Sequence, residues 1–162
     1  MAAAHCSLDV DRRLHLACME HAQDEKNHEQ LALNDLEQLG YSLDAFPELP
    51  DTAQLYQSQY YLIEHVNPAA LYGSILYLEG LASTIGPEVL QRVTNSHGQA
   101  AVAFLYEHVS LDKEHIKKAL DVASQCRPEQ LSSIIWSLRQ KKTIYLHILE
   151  SISQTSLTRE RS

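Results

Sequence analysis

The residue types with the most chemical potential fall in one stretch, His108-Val-Ser-Leu-Asp112-Lys-Glu-His115. It lies within Ala100–Ala123, a segment with helical apolar spacing and no proline. On an α-helix, residues i, i+4 and i+7 share a narrow sector of one face. His108, Asp112 and His115 therefore point the same way, stacked over two turns. Two imidazoles and a carboxylate on one face form half of a coordination shell for a divalent first-row metal. The same spacing recurs as His21-Ala-Gln-Asp-Glu25-Lys-Asn-His28. Two metal ions also need a bridging carboxylate, and Glu79 is the candidate. It sits in the apolar run Leu76-Tyr77-Leu78-Glu79-Gly80-Leu81-Ala82, where a carboxylate is costly without a cation or a proton. Gly73 and Gly80 flank that face and allow close approach of a neighbouring helix or a ligand.

Carboxylates and imidazoles on facing helices are how di-iron and di-manganese sites are built in bundles. The ligand set has no thiolate, which suits iron or manganese better than structural zinc. The surrounding residues resemble a known family, the haem-oxygenase-like di-metal oxidases and oxygenases, often labelled iron-containing redox enzymes. Three pieces carry the resemblance: Asp24-Glu25-Lys-Asn-His28 running on to Asp35 and Gly40; Asn67-Pro68 followed by Tyr77-Leu78-Glu79-Gly80; and Phe104-Leu-Tyr-Glu-His108-x3-Asp112-x2-His115. They cover roughly residues 20–120. The resemblance implies Glu25, His28, Glu79, His108, Asp112 and His115 as metal ligands. Some members carry an acid seven residues before the first histidine, and His21 fills that slot here. It further implies an all-α, haem-oxygenase-like bundle with two Fe, Mn being the other metal of choice. The activity implied is that of an O2-dependent oxidoreductase acting on a small organic substrate. Tyr72, two turns before Glu79, and Gly80 are the expected substrate-pocket residues.

The elements that must position these residues read as about six helices. The first runs from about Leu8 to Leu39, with Gly40 as its stop. Tyr41–Pro50 is a connector, and Asp51 with Gln54 resembles a capping box for a helix to about Val66. Asn67-Pro68 restarts a helix to about Ser83, as N-cap and first helical residue. Gly86-Pro87 opens a short helix to about Val93, and Thr94-Asn95-Ser96 reads as a turn and cap before the helix bearing His108. Arg127-Pro128 starts the last helix, to about Ile152. Residues 1–7 and 153–162 read as loose ends of one domain. No stretch shows sustained period-2 alternation, so no strand is expected.

Composition removes several alternatives. A net charge of −8 and the absence of a Lys/Arg cluster argue against nucleic acid as a partner. No run approaches the roughly 20 apolar residues of a membrane span. The start, Met-Ala-Ala-Ala-His-Cys, has no signal-peptide pattern, so a soluble cytoplasmic protein is the default. Cys6, Cys18 and Cys126 are scattered, as in a reduced compartment, and read as inert small hydrophobes. His5, His15, His97 and His147 read as surface residues, and Glu64-His65 as a helix-terminal pair. The expected partners are O2 and a small molecule, and a chain shorter than its relatives leaves a homodimer open. Two other readings stand beside the oxidase: a cofactor-degrading enzyme of the haem oxygenase or thiaminase type, and a non-catalytic metal-binding helical module.

Overall fold

The computed structural model describes residues 1–6 and 8–159, with the side chains of all of these except 8, 10, 112, 113 and 155–159. The described residues form eight α-helices, three short 3-10 turns and no strand. The helices are α1 (Ala2–His5), α2 (Leu8–Asp24), α3 (His28–Gln38), α4 (Pro50–His65), α5 (Leu71–Thr84), α6 (Gly86–His97), α7 (Ala103–Ser124) and α8 (Pro128–Arg159).

The most apolar of them, α5, is the central member. It packs along α7 on one side and α8 on the other, and α4 lies against α8. Gly73 permits the α5–α8 contact: a Cβ there would run into the backbone of Ile134 and lie 2.7 Å from the Leu138 nitrogen. Gly80, expected to serve the same purpose, has nothing within 4 Å of its Cβ position.

The expected first helix is two helices. Glu25 still closes the last turn of α2, its N–H donating to the His21 carbonyl at 3.0 Å. Asn27 then adopts φ 70°, a left-handed conformation that asparagine tolerates better than most residues, and α3 sets off in a new direction. Propensity favoured a continuous helix here; the tertiary fold required a corner, and Asn27 was the residue able to make it. α2 is itself kinked at Asp11, whose carboxylate accepts from the Leu14 N–H and from Gln130 on α8. Gly40 ends α3 as expected. With φ 80°, its N–H donates to the Glu37 carbonyl and that of Tyr41 to the Leu36 carbonyl.

Other boundaries move for local reasons. Leu49, not Asp51, stands before α4, and the Asp51 carboxylate instead accepts from Ser151 at the far end of α8. Asn67 does cap its turn, accepting from the Ala69 N–H at 3.0 Å, but Pro68–Ala70 is a 3-10 turn leading into α5. Thr94–Ser96 belongs to α6 rather than to a turn. The last helix continues past Ile152 to Arg159. The N-terminal residues are packed: Ala2 and Cys6 are buried, and His15 hydrogen-bonds the carbonyls of Ala3 and Cys6 at 2.8 and 3.0 Å. His15 is thus the tether of α1 rather than a surface residue.

Candidate metal centre

Glu25 is the hub of the site, and the corner after α2 is what places it there. Its carboxylate lies 3.1 Å from His28 Nδ1 and 4.0 Å from His21 Nδ1, both near it in sequence. It also lies 3.9 Å from His108 Nε2 and 3.9 Å from His115 Nδ1, both on α7. From α5, the buried Glu79 reaches within 3.5 Å of His115 Nδ1. Residues of α2, α3, α5 and α7, with the corner between α2 and α3, therefore converge on one volume.

The potential ligand atoms sort into two compact groups. Glu25, His28 and His108 form one; His21, Glu25 and Glu79 form the other. Glu25 belongs to both. His115 lies close to Glu25 and Glu79, on the side of the second group. Asp112 is on α7, but its side chain lies outside the described residues.

Tautomers and protonation are set by the surroundings. His108 Nδ1 donates to the Phe104 carbonyl, one turn back, at 2.8 Å. A neutral His108 then presents a lone pair at Nε2, the atom that faces Glu25. A lone pair opposite a carboxylate is repulsive unless a cation stands between them. The Phe104 ring packs on the His108 ring at 4.1 Å, and His28 meets it edge-on at 5.0 Å, so the orientation is held by packing as well. Burial pushes the His21 imidazole below its usual pKa against the opposing pull of Glu25, which keeps it in the ligand-competent neutral form. The buried Nδ1 of His115 makes no hydrogen bond among the described residues. These features fit a cation-binding site.

Asp35, part of the first-helix signature but without an expected role, is the clamp of the site. Buried on α3 two turns beyond His28, it accepts the N–H groups of Ala103 and Phe104 at 2.9 and 2.8 Å. It thereby caps α7 and fixes α3, with His28, against the helix bearing His108. An acid two turns after a ligand was the available signal; its distant partner was not visible in sequence.

A cavity of about 560 Å³ opens from the site. His21, Glu25, Glu79 and His108 form its polar end. Most of the remainder is apolar, including Ile75, Leu78, Leu81, Ile85, Phe104 and Val109, and among the described residues no lysine or arginine lines it. A second void of about 50 Å³ is lined by His21 and His115 among others. Tyr72 lines this small void rather than the large cavity, and Gly80 lines neither. Ile75, Glu79 and Ala82 of the expected Tyr72–Glu79 face do line the large cavity, but it also spreads over Leu71, Ser74, Leu78 and Leu81, which sequence reasoning missed.

The model of the iron-containing redox enzyme family matches residues 1–141. The chain belongs to that family. The all-α, haem-oxygenase-like fold expected from the resemblance is the fold observed. No curated protein and no solved structure matches the chain. Among the described residues, no helix is long and apolar enough to cross a membrane.

Proposed function

We propose that the chain is an O2-dependent oxidase or oxygenase that binds two irons and acts on an apolar small molecule. The observation that carries this reading is that one carboxylate, Glu25, belongs to two ligand groups at the end of an apolar cavity. Glu25, His28 and His108 would hold one ion; His21, Glu25 and Glu79, with His115 beside them, would hold the other. Asp112, carried over from the family pattern, would complete the set. These residues would hold iron, whose chemistry when bound would be the supply of electrons to O2. Manganese suits the same donors.

The protein's own residues do the rest. The hydrogen bond from His108 Nδ1 to the Phe104 carbonyl holds the ring so that Nε2 is aimed at the site. The apolar walls exclude water from the reacting end and bind hydrocarbon surface by burial. Among the described residues the lining holds no cationic side chain, and its polar groups are concentrated at the histidine–carboxylate end, with the hydroxyls of Ser74 and Tyr145 elsewhere. That would orient an amphiphilic molecule head-first toward the metals. A haem reading has less support, because four imidazoles converge on one carboxylate where a single histidine facing an open slot would be needed.

The test is anaerobic loading with Fe(II), followed by metal analysis and rapid mixing with O2. Two irons per chain and an optical transient that is lost in Glu25→Gln are expected. Less than one iron per chain with no transient refutes the reading.

A further inference from the structure

Away from the metal end, the large cavity meets a polar patch of the core. Ser74 lines the cavity from α5, the most apolar helix, and Tyr145 lines it from α8. Behind Ser74 stands Gln59 of α4, which is 8% exposed. The Ser74 hydroxyl donates to Gln59 Oε1, and the fully buried Ser137 of α8 donates to the same oxygen at 3.3 Å. Three helices thus meet at one amide. Its Nε2 is buried and has no hydrogen-bond partner among the described residues. An unmet buried donor is costly, and helix packing alone is served as well by apolar side chains of the same shape. With its proton committed to Gln59, the Ser74 oxygen still has a lone pair free to accept. If the amide turns over, Nε2 donates to both serines and the Ser74 proton is released to donate instead. In either state Ser74 keeps one unused hydrogen-bonding role. Lys141, one turn beyond Ser137, is spent on the Leu55 carbonyl and Ser58, and among the described residues no lysine or arginine lines the cavity.

We propose that Ser74, backed by Gln59, is a second anchor in the substrate cavity, and that the substrate carries a neutral hydroxyl for it in addition to the polar group held at the histidine–carboxylate end. A hydroxyl both donates and accepts, so it fits Ser74 in either state of the amide; a carbonyl or an ammonium fits only one. An anionic group has no counter-charge at this wall and would be desolvated at a loss. Ser74 stands five residues before Glu79 on α5, about 7.5 Å along the helix, so several carbons separate the two polar groups of the substrate. Apolar Ile75 and Leu78, between them in sequence, also line the cavity and suit that chain. Holding the molecule at two points fixes its depth, and with it the carbon set against the metals. Ser74 is a specificity-determining residue, and Gln59 is the positioning residue behind it.

This inference rests on the reading of the cavity as the site of an apolar substrate, and the experiment separates the two. Binding of primary decanol, and of decanediols whose second hydroxyl stands at each successive carbon, is measured by calorimetry on the Fe(II)-loaded protein without O2. In an apolar cavity a second hydroxyl weakens binding wherever it meets no partner. One spacing, with the hydroxyls about 7.5 Å apart, should therefore stand out, binding about fivefold tighter than the other diols, the scale of one hydrogen bond. In Ser74→Ala that preference should fall to less than about twofold, while decanol binds as in the wild type. A purely structural role for Ser74 would lower Tm and leave the preference among diols unchanged. The wild-type series decides the matter by itself should Ser74→Ala fail to fold. Binding of decanol with no preferred spacing overturns the second anchor and leaves the apolar-substrate reading standing. A preferred spacing that survives in Ser74→Ala overturns the assignment to Ser74. Failure of decanol and every diol to bind refutes the apolar-substrate reading, and the second anchor with it.

Discussion

Glu25→Gln is the sharpest perturbation of the site. The change is isosteric and removes one negative charge from the group that lies within 4.0 Å of four imidazoles. Glu25 sits at the corner between α2 and α3 with its side chain 31% exposed, so the fold loses little; a surface-type cost under about 1 kcal/mol is expected. Metal binding should suffer far more, because Glu25 is the one anion common to both ligand groups. Two dications sharing a site repel, and without the shared charge the second has no compensation. The expected result is a fall from two irons to one or none, with affinity reduced about 100-fold, the scale of about 2.7 kcal/mol. Thermal unfolding reads this directly. With metal at about 100 times the wild-type dissociation constant, the wild type gains about 2.7 kcal/mol, or roughly 5–11 °C in Tm for a chain of this size. The variant at the same concentration gains only about 0.4 kcal/mol, a shift of about 1–2 °C. A variant that keeps both ions and the full shift would refute the assignment of Glu25 as the shared ligand. A variant unstable without metal would show that the corner, not the charge, is what Glu25 supplies.

Three further outcomes follow from the packing. Asp35→Ala removes two charge-assisted hydrogen bonds and leaves the first N–H groups of α7 without their cap; a loss of about 2–4 kcal/mol in denaturant unfolding is expected, with weaker metal binding as His28 and His108 lose register. Gly73→Ala forces a Cβ into the backbone of α8 and should destabilise by about 3 kcal/mol or more, whereas Gly80→Ala, with open space around it, should gain about 0.5–1 kcal/mol from helix propensity alone. Lys141 is 2% exposed, and burial pushes its ammonium down to about 8. An unfolded lysine titrates near 10.4, so below pH 8 the native state bears a charge-burial cost of at most about 3 kcal/mol. Between pH 8 and about 10.4 the native state releases its proton first and stability rises; above both values the cost is gone. Lys141→Met should therefore raise Tm at pH 7 by a few degrees, reduced by loss of the hydrogen bonds to the Leu55 carbonyl and Ser58. That advantage should disappear near pH 10.5; a constant advantage across pH would exclude the lysine charge as its cause.

Much of the scaffold and the candidate ligands were legible in the sequence. Spacing placed His108 and His115 on one face of α7, and a lone acid in an apolar run marked Glu79 as buried. These are local properties: helical periodicity ranges over a few residues, and the cost of burying a charge shows wherever one interrupts an apolar run. Gly40 and Asn67 were legible for the same reason, since each acts on backbone groups within a few residues of itself. Tertiary structure decided the rest. The corner at Asn27 is invisible to periodicity, because Glu25, Lys26 and Asn27 are all acceptable inside a helix and only packing demands the turn. Asp35 acts across 68 residues of chain, and the buried core gathers Cys6, Cys18 and Tyr72 from distant parts of the sequence. The cavity spreads over α5 beyond the expected Tyr72–Glu79 face for a related reason: a helix presents every face equally in sequence, and only its neighbours decide which part is left open. Local patterns fix which groups can do chemistry; long-range contacts fix what they are placed against.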